Sequence, residues 1–573
     1  MKISLILLLL CLNDAHAEIH LTQPPVTQKI LPQKGEAGPA AKSLRIPICR
    51  GEYEPAQLVI HAMDKPLTDV RVSASSLHGP DGAELKTDRI TINPMGFIRI
   101  ETPTRGWTAV LRTQGGEVPD VLLPDRPMNV AAGRRQPYYL TVRTRQDDPP
   151  GEYRGIVRVS AAGETKTELP LIVRVYDVVL PVKPHLRTAF GLTTRYRRLQ
   201  GANPAENLES VMRYSKFLLS HRVTPLLYGT NDRGAAPPPT QRDDGTWDFS
   251  GTDRFLSEFV PLGLTSFYTF AGAGTPAYAA HLKEKGWHAM SFVYMYDEAH
   301  MRELPAMISQ YTNMRAQVPD APILQVGWSP TKPLEGLVNI WCPLLADADL
   351  YSLRQARERG EETWWYTWDG PWDPYPNICH IDDPGIFHRI VGWMTYAYDI
   401  QGFLYWAVDV WDTHPNREPG GRLSAAEYDA NNYADWKPNT YGKTSYGNPR
   451  NGDGYLLYPG KGNVPIASLR LALTRDGFED FDLFTEVHRL SEGEHPNQVR
   501  GRELLEFAFP IDNPLIISRT QWTRKDNALL RRREEILKIG EELRRPDDAY
   551  LRTLRERQTE TADALYPLPS RKR

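Results

Sequence analysis

The 573-residue sequence predicts a multidomain α/β plus β chain: an N-terminal β-sandwich, a (β/α)8 TIM-like barrel and a C-terminal helical extension. Three observations predict it. Short β-like runs separated by Pro/Gly turns fill residues 18–182, as in a sandwich of many short strands. Strand-like runs then alternate with helical stretches until eight strands have passed, within residues 185–465, the count and order of a barrel. Residues 466–573 carry long helical patterns that would pack on that barrel.

Within the first region, Ala56–Ile60, Val70–Val72, Tyr138–Val142, Tyr153–Val159 and Leu171–Val175 read as strands, with Pro149-Pro150-Gly151 as one of the turns. Leu180-Pro181-Val182-Lys183-Pro184 reads as a linker. The barrel strands follow as Thr188–Leu192, Pro225–Tyr228, Ser266–Phe270, Ser291–Tyr296, Ile323–Val326, Val338–Trp341, Thr363–Trp368 and Gly402–Trp406. Helices are expected over Leu208–Ser220, Asp253–Phe259, Ala277–Lys285, Glu303–Ala316 and Pro384–Tyr398. Residues 407–465, rich in Asn, Gly, Tyr and Pro, read as a long loop region overhanging the barrel mouth. Ile466–Phe484 has the pattern of an amphipathic helix, and Ala528–Arg545 that of a charged one.

The first 17 residues have a basic start, an apolar run from Ile3 to Leu12 and then Ala15-His16-Ala17. That is the layout of a cleavable secretory signal peptide, so the mature chain is expected to be secreted or periplasmic. The apolar run is about ten residues, too short to span a bilayer, and no membrane span is expected. A lipoprotein reading of Cys11 lacks the small residue usually found just before a lipidated cysteine. Net charge is −3 with both signs interspersed, which leaves no basic footprint for nucleic acid. Cys49, Cys342 and Cys379 remain after processing, an odd count that argues against a disulfide scaffold. Cys342 and Cys379 would pair only if their loops were neighbours. No Cys/His cluster has zinc spacing. The chain holds 14 Trp and 27 Tyr, which fill a large core and also suit stacking on sugar rings. Oligomeric state cannot be read from the sequence.

Barrels place chemistry on loops at the C-terminal ends of their strands. The fourth strand ends Tyr294-Met295-Tyr296-Asp297-Glu298. Adjacent acids at such a place suit a helix start or a surface ion pair. They also suit cleavage of a glycosidic bond, which needs a proton on the leaving oxygen and support for charge developing at the anomeric carbon. A retaining carboxylate pair needs its two groups about 5 Å apart on opposite sides of the bond, and neighbours on one strand fit that poorly. Substrate assistance fits better. There the sugar's 2-acetamido oxygen attacks, the aspartate orients that amide and the glutamic acid protonates the departing oxygen. Burial and the neighbouring like charge would suit the glutamic acid to that role.

The acid-bearing segment, with His281-Leu282-Lys283-Glu284-Lys285-Gly286-Trp287 before it, resembles the catalytic segment of glycoside hydrolase family 123 and its relatives in the domain of unknown function 4091. Trp364-Trp365-Tyr366-Thr367, Gly402–Ala407, Tyr455–Gly460, Ser468–Leu471 and Arg475–Asp480 agree with it. Gly51–Val59 resembles the family's N-terminal region. The resemblance implies an exo-acting, retaining β-N-acetylgalactosaminidase working through an oxazoline, with Glu298 as general acid/base and Asp297 supporting the acetamido group. It implies a glycan substrate and no metal or organic cofactor.

Aromatic side chains at strand ends are candidates for the substrate wall: Tyr366, Trp368, Trp406, Trp364, Tyr296 and Trp328. Tyr366 is placed to reach an acetamido oxygen. Asp409, Asp412 and His300 are weaker neighbours of the site. Two other readings stand: a two-carboxylate retaining glycosidase with Glu298 as acid/base and Asp369 as nucleophile, and a non-catalytic carbohydrate-binding protein.

Overall fold

The computed structural model describes residues 19–33, 38–104, 111, 114–163, 166–193, 204–227, 239–269, 275–410, 449–460, 464–492 and 514–544, with short pieces between 411–448 and 503–509. The expected signal peptide and most of the loop region after the eighth barrel strand lie outside the described residues.

The N-terminal region holds two sheets. One orders His20–Thr22, Tyr53–His61, Arg135–Arg143, Ile90–Ile100 and Gly116–Leu122, all antiparallel. The other runs Leu44–Arg50, Thr167–Val179, Gly151–Ser160, Leu67–Ala74 and Met128–Val130, with Leu44–Arg50 parallel to its neighbour. Ile46 and Val173 of the second sheet share one core with Leu58 and Leu140 of the first. The alternate face of the first sheet, through Tyr139, Met95 and Val118, joins the core of the barrel and the C-terminal helices. Covered on both faces, Tyr53–His61 is buried at every position after its first residue, where a strand with one wet face would alternate.

The linker predicted around 180–184 leads into the first of eight parallel strands. They are Arg187–Leu192, Pro225–Leu227, Phe267–Thr269, Ser291–Tyr294, Ile323–Val326, Ile340–Cys342, Glu362–Thr367 and Gly402–Tyr405. Ladders join them in the order second, first, eighth, seventh, sixth, fifth, fourth, third. The ring is thus nearly closed, its ends meeting at the second and third strands. Helices Pro204–Leu219, Ser250–Phe259, Thr275–Glu284, Leu304–Gln317 and Gly385–Ala397 stand where helical stretches are expected. Leu350–Glu358 adds one that the sequence reading lacks, and only the short turn Lys332–Leu334 joins the fifth strand to the sixth. Inside the ring, Leu226, Phe292, Leu324, Trp364 and Leu404 fill the barrel.

The last two described helices depart most from expectation. Leu469–Glu492 is buried at every residue from Leu469 to Phe484, where an amphipathic pattern predicts a wet face. It lies against the N-terminal sheets on one side and Gly385–Ala397 on the other. At that crossing a Cβ on Gly392 would stand 1.9 Å from the carbonyl oxygen of Gly477, so only glycine lets the two backbones touch. The buried charges are paired: Arg470 with Asp120 at 3.0 Å, Arg389 with Asp480 at 2.8 Å and Arg475 with Asp476 at 2.7 Å. Helix Asp526–Arg544, expected to carry a merely solvated charge pattern, buries Arg533 against Asp480, Glu52 and Glu54. The three cysteines are buried and free, so Cys342 and Cys379 do not pair. No helix among the described residues is long and apolar enough to cross a membrane.

Candidate active site

Parallel pairing of Ser291–Tyr294 stops at Tyr294, two residues earlier than the aromatic pattern suggests. Released from the ladder, the chain turns so that Asp297 and Glu298 are both exposed. The burial expected of the pair is thus not what the described residues show. Glu298 has a φ of +45°, a left-handed conformation that costs a non-glycine residue on the order of 1–3 kcal/mol and clusters at functional sites. Past it, His300 caps the turn Met301–Glu303: its side chain accepts from the Glu303 amide, and Glu303 accepts from the His300 amide at 2.7 Å. His300 is thus occupied in holding the loop, not in contact with Glu298.

Each acid meets its own tyrosine. Tyr294 Oη donates to Asp297 Oδ1 at 2.6 Å, and Tyr366 Oη donates to Glu298 Oε1. Tyr366 comes from the inward-facing row of the seventh strand and is only 5% exposed. Burial first, and then the hydrogen bond to Glu298, push its hydroxyl far above the ordinary tyrosine range. It therefore stays a proton-bearing donor. The two hydroxyls come from the fourth and seventh strands, so each carboxylate is held from a different part of the ring.

The other aromatic candidates divide. Trp368 is half-buried, with the Arg450 guanidinium 5.5 Å from its ring. Trp406 is half-buried and donates Nε1 to Asp453 at 2.8 Å. Both remain at the C-terminal ends of their strands. Trp364 is fully buried, donates to Glu362 at 3.1 Å and stacks under Arg187 at 5.2 Å. It packs the barrel interior and does not line the site. Tyr296 packs edge-to-face on Tyr311 of the following helix, 5.9 Å between ring centroids. Trp328 donates Nε1 to the carbonyl of Ala299 at 2.6 Å, directly behind the acid.

Asp369 is fully buried. Its carboxylate oxygens have no hydrogen-bond partner, and the nearest cation is His380 at 3.8 Å. A nucleophile must face the sugar, and this side chain does not reach the surface. Asp409, also buried, accepts from the amide and hydroxyl of Thr193 at 2.7 and 2.8 Å and so ties the first strand to the eighth. Asp412 lies outside the described residues, as do most of the segments following the first, second, third and eighth strands. Asp453 is a carboxylate the sequence reading passed over. Burial pushes it up to about 6, against the hydrogen bond from Trp406. Its only signal is a place in the Gly-rich run Gly452-Asp453-Gly454. No group of three or more His, Cys, Asp or Glu side chains among the described residues is placed to hold a metal ion.

Residues 251–487 match the family model for the glycoside hydrolase 123 catalytic domain, a stretch that includes both acids and Tyr366. No curated protein sequence matches the chain. Among solved structures, a family 123 glycoside hydrolase from Clostridium perfringens superposes with a TM-score of 0.65 at 14% identity, covering 95% of this chain and all of that one. A family 39 glycoside hydrolase from Bacteroides cellulosilyticus reaches a TM-score of 0.31 at 10% identity, over 78% of this chain and 82% of its own. The first shares the fold across nearly the whole length; the second is too distant to argue from. The chain is a glycoside hydrolase 123-like protein and a glycosidase, its match to that family's catalytic domain lying within residues 251–487.

Proposed function

We propose that this glycosidase is a retaining, exo-acting β-N-acetylhexosaminidase of the N-acetylgalactosaminidase type, working by substrate assistance. The observation that carries the reading is the adjacent pair Asp297 and Glu298 at the end of the fourth barrel strand, each accepting a hydrogen bond from a different tyrosine. In the first step the Glu298 carboxyl gives its proton to the glycosidic oxygen as the bond from C1 breaks. The 2-acetamido oxygen of the same sugar closes on C1 from the opposite face to form an oxazoline. Asp297 accepts the acetamido N–H and offsets the positive charge that spreads into the ring. In the second step Glu298, now a carboxylate, takes a proton from water as its oxygen attacks C1 and reopens the oxazoline, so the configuration is retained.

The buried position of Asp369 favours this route over one with a carboxylate nucleophile. The Clostridium perfringens protein is described for its hydrolysis of glycolipid glycans, and a glycan ending in an N-acetylated amino sugar is the substrate class we infer. Trp368 and Trp406 would offer ring faces to that sugar. We read the two N-terminal sheets as a β-sandwich and the ring as a (β/α)8 barrel. We also read the basic, apolar N-terminus as a signal for export, to the periplasm or beyond.

A panel of chromogenic glycosides, with the wild type, Glu298→Gln and Asp297→Asn, tests the reading. Substrate assistance expects turnover of N-acetyl-β-hexosaminides, loss of rate in both variants and inhibition by a thiazoline analogue of the oxazoline. A covalent sugar trapped on Asp369 would replace this mechanism with the two-carboxylate one. No turnover of any glycoside would leave only carbohydrate binding.

A further inference from the structure

Gly327 and Trp328 directly follow the fifth barrel strand, beside the loop that bears the acids. The Gly327 amide donates to the carbonyl of Cys342 at 2.9 Å, and its φ is +84°. A Cβ on this residue would stand 2.9 Å from Glu298 Cα and 3.4 Å from Glu298 Cβ and Cγ. The nearest of these atoms is backbone, which cannot swing aside as a side-chain tip does. One residue on, the half-buried Trp328 donates Nε1 to the Ala299 carbonyl at 2.6 Å. Two consecutive residues of one strand end therefore seat two consecutive residues of the neighbouring loop. Glu298, between them and the cap at His300, holds φ +45°, a conformation that persists in a non-glycine residue when its surroundings over-determine it.

We propose that Gly327 and Trp328 are positioning residues for Glu298, fixing the backbone from which its carboxyl meets Tyr366 and the leaving oxygen. Trp328 acts through its indole N–H on the loop rather than as a platform for sugar. The proposal rests on the reading of Glu298 as general acid/base. A displaced general acid has a signature that loosened packing lacks. Poor leaving groups need the proton, whereas activated aryl leaving groups depart with little help.

The experiment measures kcat/KM for Gly327→Ala and Trp328→Phe on aryl glycosides of one sugar with graded leaving groups. It is paired with thermal unfolding and the pH profile of kcat/KM. Gly327→Ala is expected to lose about 100-fold on the poorest leaving group, the scale of a 1 Å misplacement, and under about tenfold on the most activated. Trp328→Phe removes the N–H donor and keeps an aromatic side chain, though a smaller one. It should follow the same trend at about tenfold with an unchanged unfolding temperature, which keeps the test alive if the alanine variant fails to fold. An equal loss across all leaving groups with an unmoved pH profile, or no loss in Trp328→Phe, overturns the proposal. Glu298→Gln on the same series separates the two possible failures. A Glu298→Gln indifferent to leaving group overturns the acid assignment itself. A leaving-group-dependent Glu298→Gln beside unaffected positioning variants overturns positioning alone.

Discussion

Two groups of charged side chains in this protein live under opposite conditions. Between the N-terminal sheets and the C-terminal helices, Arg389 bonds Asp480 at 2.8 Å and Glu54 at 3.1 Å, and Arg533 bonds Asp480 at 2.6 Å. All four residues are essentially dry. At the barrel mouth, Asp297 and Glu298 are exposed, and the partners described for them are neutral tyrosine hydroxyls. A buried charge is tolerable only when opposite charge and hydrogen bonds neutralise it in place, which uses up what it could offer a ligand. An exposed acid held by one neutral donor keeps its remaining lone pairs for a substrate. Clustered charge therefore does not by itself mark a site in this molecule.

Replacing Glu298 by Gln should give the largest effect, and on activity alone. Loss of a general acid costs about 10²- to 10⁴-fold in rate, with no change in the unfolding midpoint because the side chain is exposed. A variant that lost stability instead would erase the contrast. Arg389→Met should do the reverse. Removing one partner of a buried charge network costs about 3–5 kcal/mol, read as a lowered urea midpoint, while the molecules that remain folded keep their KM. A cost under about 1 kcal/mol would place that network with ordinary surface pairs.

Tyr366→Phe sits between the two regions, since its hydroxyl touches the acid but its ring packs the barrel. We expect about a tenfold loss in kcat/KM and a stability change near 1 kcal/mol, the size of one hydrogen bond. The smallest effect concerns His185, whose ring lies 2.8 Å from Glu486 and 35% exposed. Its hydrogen bond to Glu486 raises it above its ordinary 6.5, against a smaller effect of burial. A histidine held above its unfolded value binds its proton more tightly when folded. Its contribution is therefore complete below pH 6.5 and is lost as pH rises through the folded value. His185→Gln should flatten that decline in a pH series of unfolding midpoints, by less than about 1 kcal/mol after solvent screening.

Much of this was legible from residue order. All eight barrel strands fall on runs that the apolar and β-branched pattern marks, because parallel strands buried in a ring are short and nearly continuous in apolar residues. Leu350–Glu358 escaped because its sequence, Leu350-Tyr351-Ser352-Leu353-Arg354-Gln355-Ala356-Arg357-Glu358, buries only Leu353 and Ala356. Ile90–Ile100 is hard to read along the chain because Asn93-Pro94 interrupts its apolar run, although Tyr138 pairs with Pro94 in the ladder. Asp297 and Glu298 were legible as a pair at a strand end. Their exposure was not, because burial depends on which loops stand over them. Trp364 within the seventh strand and Trp368 just past its end share a parity, yet one lies deep in the barrel and the other near its mouth. Position along the strand separates them, and only the register of the ring supplies that.

The sequence by itself determined the order of elements, the strand that carries the acids and the family the chain resembles, because these depend on periodicity and on motifs read along one dimension. Tertiary structure decided the rest. It buried the helix Leu469–Glu492 on all sides as far as Phe484 by setting it between two layers. It took Asp369 out of reach, and it brought Gly327, just past the fifth strand, against Glu298 in the loop after the fourth. Such contacts join residues remote in sequence, and the distance between them is set by packing rather than by spacing.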